Sequence, residues 1–112
     1  MAIANSLIAS GDNTILVVDA GKRYAITTIL VCNTFTPNPI HEEDGQTVFD
    51  LHIIPQGQAI GDRNMVVRSL VLPAGETFTF DSEKIVLEEG DYIVIAGESP
   101  EVLAATVSYL EV

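Results

Sequence analysis

The chain reads as an all-β protein, an antiparallel β-sandwich of jelly-roll type with eight or nine strands. Three observations carry that reading. Apolar and polar residues alternate with period two almost throughout, and no stretch of ten or more residues keeps helical spacing. Turn residues interrupt the alternation every 8–12 residues, the spacing of sandwiches and jelly rolls. A corner phrase also occurs twice. Val18-Asp19-Ala20-Gly21-Lys22-Arg23-Tyr24-Ala25-Ile26 is echoed 54 residues later by Leu72-Pro73-Ala74-Gly75-Glu76-Thr77-Phe78-Thr79-Phe80. In each copy an apolar strand runs into x-Ala-Gly, turns and leaves as a second strand. Glycine at the third position takes a positive φ without a Cβ clash, so the chain can reverse there. The duplication fits two related halves packed face to face, and equally two independent solutions to one turning problem.

Taken in order, residues 6–9 form a short candidate strand, an edge or an arm. Gly11, Asp12 and Asn13 make a turn, and 14–19 is the next strand. After the first corner, 23–33 is long and β-rich. Period two puts Tyr24, Ile26, Thr28, Leu30 and Cys32 on one face, with Ala25, Ile29 and Val31 on the other. Apolar side chains on both faces of its second half predict a double cover, by a second sheet and by a loop or partner subunit. Cys32, next to Val31, reads as a buried thiol behaving as a small hydrophobe. As the one cysteine it excludes an intrachain disulfide.

Residues 34–46 are the least regular segment. Pro37 and Pro39 lack the amide a ladder needs and hold the residues before them extended. The run His41-Glu42-Glu43-Asp44 ends in a turn at Gly45. A 13-residue connection is longer than most, which marks it as the leading contact element. Its candidate interface or binding residues are Phe35, Pro37, Pro39, His41, Glu42, Glu43 and Asp44. Strand 47–55 follows, with Phe49, Leu51 and Ile53 inward and Asp50 and His52 outward. Residues 56–64 make a second polar loop. The next strand, 65–72, feeds the second corner, and 77–80 leaves it with Phe78 and Phe80 on the core face. Strand 85–87, the turn Glu88-Glu89-Gly90-Asp91 and strand 92–96 form a hairpin-like unit. A turn at 97–101 leads to the last strand, 103–111, whose end at Leu110, Glu111 and Val112 presents an unshielded strand.

At 112 residues, 47% of them apolar, the chain is expected to form one domain, 1–112, around one core. Its longest apolar runs are four or five residues, against about 20 for a membrane span. The first residues lack a basic region and a continuous apolar stretch, so they do not read as a signal peptide. Sixteen acidic residues face five basic ones, a formal net charge of −11. Such a surface repels phosphate backbones and anionic lipid, so neither nucleic acid nor membrane is an expected partner. It favours solubility, or docking onto a basic partner.

No constellation spells an active site. A calcium loop needs Asp and Asn at regular spacing, which His41–Asp44 lacks; a solvated acidic tract is the better reading. His52, two residues from Asp50, reads as a hydrogen-bonded surface group. Pro73-Ala74-Gly75-Glu76 and Leu87-Glu88-Glu89-Gly90-Asp91 are similar to the turns of cupin barrels, whose metal sits on three His and a Glu. Here only His41 and His52 occur, and none lies in the last 60 residues. No Ser/His/Asp order, phosphate-cradling glycine loop or dinucleotide fingerprint is visible. Glu88, Glu89 and Asp91 read as solvated turn residues. The expectation is therefore a non-enzyme with no catalytic residue, cofactor or metal.

The run from Asp19 to Asn33 resembles the corner-plus-strand of small all-β virion structural proteins of tailed marine phages, cyanophage-like tail and capsid accessory proteins. So do the run from Leu70 to Asp91 and the ending Ser108-Tyr109-Leu110-Glu111; together they cover about a third of the chain. These are turn and core residues, so the resemblance implies a fold and a setting and transfers no catalytic residue. It implies a virion component, assembled in the host cytoplasm, acting through homo-oligomer formation or docking onto a larger particle. Contact would fall on 6–9, 34–46, 56–64 or the sheet edges. Two alternatives stay open. One is a carbohydrate- or receptor-binding sandwich module, for which Phe35 is the one aromatic placed to stack and no Trp is present. The other is a degenerate cupin-like protein.

Overall fold

The computed structural model describes residues 2–112, apart from the side chains of residues 82–84. The alternating stretches become eight strands. They are β1 (Ala2–Ile8), β2 (Gly11–Val17), β3 (Tyr24–Asn33), β4 (Thr47–Ile54), β5 (Met65–Leu72), β6 (Thr77–Leu87), β7 (Tyr92–Gly97) and β8 (Leu103–Glu111). One 3₁₀ turn, Asp62–Asn64, precedes β5. The strands form two four-stranded sheets, ordered β1-β8-β3-β6 and β2-β7-β4-β5. Every strand pairing is antiparallel, and the pairs nest: β4 with β5, β3 with β6, β2 with β7, β1 with β8. The chain is thus one long hairpin, its tip at 55–64, rolled over on itself into a jelly roll. No helix among the described residues is long and apolar enough to cross a membrane.

Rolling explains the duplicated corner. Both copies carry the chain from the β2-β7-β4-β5 sheet to the other one, β2 into β3 and β5 into β6, at opposite ends of the sandwich. Gly21 and Gly75 have φ of 76° and 77°, where a Cβ would be strained. The two halves of the chain do not pack face to face, because each contributes two strands to each sheet.

Apolar residues on the inward row of each strand fill the space between the sheets. Ile26, Ile29, Val31, Leu103, Ala105 and Val107 come from one sheet, and Phe49, Leu51, Ile93 and Ile95 from the other. Phe78 and Phe80 face inward opposite Val31 and Ile29, as the alternation predicts, and the Phe49 and Phe78 rings meet edge-on at 5.6 Å.

Several expectations need correction, and bulges cause the main one. The β3 register slips between Ile26 and Thr28 against both neighbours; against β8 Thr27 is the extra residue, and it reverses the parity of the second half of β3. Tyr24 and Ile26 point inward, but so do Ile29, Val31 and Asn33, while Thr28, Leu30 and Cys32 face outward. Cys32 is therefore half-buried on an outer face rather than packed in the core. The turn expected at Gly11–Asn13 lies two residues earlier. Asn13 uses its side chain to accept from Ala9 N and donate to Ala9 O and Gly11 O, bracing the crossing at Ala9 and Ser10. The stretches 77–80 and 85–87 belong to one strand, β6. The last strand, β8, lies between β1 and β3 and is not an edge.

His52 is the other correction. It sits on the outer row of β4 with Ile54, opposite Val94 of β7, yet all three are buried. Segment 55–64 lies back over this face. Asn64 Oδ1 pairs with His52 Nδ1 at 2.9 Å and also accepts from Gly61 N. Its Nδ2 donates to Ala59 O, and the Tyr92 hydroxyl donates to Gln58 O. Segment 55–64 is thus pinned over the outer row of β4 by the buried Asn64, while most of its own residues stay exposed.

Candidate functional site

The roll gathers the connections at two ends. Segments 34–46, 73–76 and 98–102 meet at one end, and 18–23, 55–64 and 88–91 at the other. The first end is organised by Asn33, the last residue of β3, only 1% exposed. Its Nδ2 donates to Gly45 O at 2.8 Å and to Leu72 O at 2.9 Å, and its Oδ1 accepts from Phe35 N at 2.9 Å. Its backbone bonds both ways to the second corner, donating to Glu76 O and accepting from Gly75 N. One buried amide thus holds both feet of the 34–46 connection against the end of β5. Within the connection, Asn38 Oδ1 accepts from Ile40 N, His41 O from Asp44 N, and Glu43 O from Gln46 N. These short-range bonds give an irregular segment a defined shape without a ladder.

Between this segment and the second corner lies an open cleft of about 620 Å³. Its walls combine the apolar Pro37, Pro39, Pro73 and Ala74 with the amides of Asn38 and Gln46, and its carboxylates are Glu42, Glu43 and Glu76. Pro37 rests on Gly75; a Cβ added there would lie 2.6 Å from Pro37 Cγ. Four of the seven sequence-predicted residues, Pro37, Pro39, Glu42 and Glu43, are brought together here. The other three are not among the lining residues. Phe35 lies over Gly45, His41 is exposed, and Asp44 accepts a 3.4 Å bond from Asn38 Nδ2.

Sequence reasoning missed the other wall, because only the topology brings 73–76 beside 34–46. It also passed over Ile40, which is 82% exposed, the highest value among the exposed large hydrophobic residues. The signal for Ile40 was present: an apolar residue in a segment with no strand to bury it.

Charge is distributed unevenly. Segments 34–46, 73–76 and 98–102 carry Glu42, Glu43, Asp44, Glu76, Glu98 and Glu101, all exposed, and contain no Lys or Arg. At the other end signs are mixed: Lys22 pairs with Glu111 at 3.7 Å and Arg23 with Glu88 at 3.6 Å. Glu89 Oε1 accepts from Gly21 N, while Asp91 accepts from Gln56 N and Glu88 N, so the Glu88–Asp91 carboxylates face separate donors. Tyr24 beside them donates its hydroxyl to Asp19 at 3.2 Å. Burial first, then the Asp19 charge, push its pKa above the usual 10.0.

His41 and His52 lie at opposite ends and do not converge. Among the described residues no three His, Cys, Asp or Glu side chains are grouped to hold a metal ion. The cleft sets proline rings beside three glutamates, an apolar and an anionic surface side by side. Comparison with known proteins adds no relative: no family model, no curated protein and no solved structure matches the chain.

Proposed function

We propose that the chain is a non-enzymatic structural or accessory protein of a virus particle, of the kind its resemblance to tailed-phage virion proteins implies. It works by assembling with copies of itself or by docking onto a larger structure. The observation that supports docking is the one-ended charge: three adjoining connections present six exposed carboxylates and no cation, beside a proline-walled cleft. Charge of one sign on one end orients an approach to a basic surface and repels phosphate. Lys or Arg side chains of the partner fill the cleft. On this reading the protein is made in the host cytoplasm and ends in the particle.

Quantitative mass spectrometry of particles banded on a density gradient, from the source that encodes the chain, tests this. The chain should co-band with particle proteins at constant stoichiometry. Recovery only in the unbanded fraction refutes the reading. The triple variant Glu42→Gln, Glu43→Gln, Glu76→Gln should fold normally and band at reduced copy number. Unchanged incorporation removes the acidic cleft as the docking surface.

A further inference from the structure

A jelly roll of two open sheets has four edge strands, here β1, β6, β2 and β5. Exposed edges invite pairing with other chains unless charge, proline or a bulge blocks them. Three of the four are blocked. β2 carries Asp12 and a register slip between Thr14 and Leu16. β5 carries Arg68 and slips twice against β4, with Ser69 at φ 48° tied through its N to Asp50. β6 carries the exposed Asp81 and slips against β3. β1 has none of these devices. Its seven residues, Ala2-Ile3-Ala4-Asn5-Ser6-Leu7-Ile8, include no charge, proline or glycine and run in unbroken register along β8. No other strand among the described residues pairs with its open side.

The side chains of β1 point to one occupant. Ile3, Asn5 and Leu7 form the outer row, opposite Ser108, Thr106 and Ala104 of β8. Ile3 is 65% and Leu7 77% exposed, an unusual investment of apolar surface on a solvent face. Read backwards the row is again apolar, Asn, apolar, so it complements itself in the antiparallel sense. A second copy, which also carries a net charge of −11, can approach β1 because the strand and its β8 neighbours are uncharged.

We infer that β1 pairs antiparallel with β1 of a second copy about a two-fold axis at Asn5, joining two four-stranded sheets into one of eight strands. Ile3 of each copy then meets Leu7 of the other, Asn5 faces Asn5, and the open backbone groups of both edges are satisfied. The inference deepens the assembly reading above and rests on it.

Cross-linking in a Cys32→Ser background tests the register. With Asn5→Cys, paired Cα atoms lie about 5 Å apart, within disulfide reach, so mild oxidation yields a covalent dimer. Ile3→Cys alone places its partners roughly 14 Å apart and yields none, whereas Ile3→Cys mixed with Leu7→Cys forms the heterodimer. Sedimentation of the wild-type chain from micromolar to millimolar should show a monomer–dimer equilibrium. Asn5→Lys should raise the dissociation constant about tenfold or more while leaving the melting curve cooperative. Failure of Asn5→Cys to cross-link, or equal cross-linking by Ile3→Cys alone, overturns the inference. Association that survives Asn5→Lys also overturns it but leaves the assembly reading standing on another surface. A wild-type chain that stays monomeric at millimolar overturns it and removes self-assembly, with docking then judged by particle banding alone.

Discussion

Replacing Asn33 by alanine tests whether one buried amide builds the acidic end. The change removes three side-chain hydrogen bonds, to Gly45 O, Leu72 O and Phe35 N, from a residue 1% exposed. Each such bond is worth about 1 kcal/mol net, and a buried group left unpaired costs about 1–3 kcal/mol. Water can reach Gly45 and Phe35 at the loop feet more readily than Leu72 O, so a total of about 3–4 kcal/mol is expected. In a domain of this size that lowers Tm by roughly 12–16 °C. Asn33→Asp sharpens the argument. It keeps an acceptor for Phe35 N but turns a carboxylate toward two carbonyl oxygens, and burial with those dipoles pushes its folded pKa above the unfolded value near ~3.9. The variant is then closest to wild type below that unfolded value, and loses stability as pH rises through the raised folded one. Thermal and urea unfolding of wild type, Asn33→Ala and Asn33→Asp between acidic and neutral pH measure both effects, and limited proteolysis reports the 34–46 segment. A Tm for Asn33→Ala within a few degrees of wild type, with no new cleavage in that segment, refutes the clamp. So does an Asn33→Asp deficit that fails to narrow on acidification.

Gly75→Ala should cost about 1–2 kcal/mol more than Gly21→Ala: both residues have φ near 77°, but only at Gly75 would the Cβ meet Pro37, at 2.6 Å. Adding Pro37→Ala should return most of that difference in a double-mutant cycle by urea unfolding; a purely additive cycle would show that the two residues do not press on each other. Asn64→Ala strips the bonds to His52, Gly61 and Ala59, and should lower stability by about 2–3 kcal/mol with faster proteolysis of 55–64; unaltered cleavage there would mean the segment is held otherwise. The raised pKa of Tyr24 means that the stability it contributes is present below the unfolded tyrosine value and lost as pH climbs through the folded one. Melting curves above neutral pH should therefore fall more steeply for wild type than for Tyr24→Phe, and parallel profiles would contradict the raised pKa that burial and then Asp19 produce.

Alternation, turn residues and the repeated Ala-Gly corner were enough to read a two-layer antiparallel sandwich, because side-chain parity and positive-φ glycines are local properties of a strand and its turn. The proline-broken segment with Pro37, Pro39, Glu42 and Glu43 was legible for the same reason: it has no pattern that a ladder could use. What parity could not carry past was a single added residue. Thr27 turns the second half of β3 over, and nothing in its sequence neighbours announces a bulge that is defined by pairing with β8. His52 looked exposed because its row is the outer one, and it is buried only because 55–64 folds back across that row. The cleft exists because rolling sets 34–46 beside 73–76, and Asn33 reads as a clamp only once Gly45 and Leu72 stand next to it. Contacts between residues far apart in the chain depend on which strands pair and in what register, so the folded molecule decided them, while the sequence by itself determined the strands, the corners and the excess of negative charge.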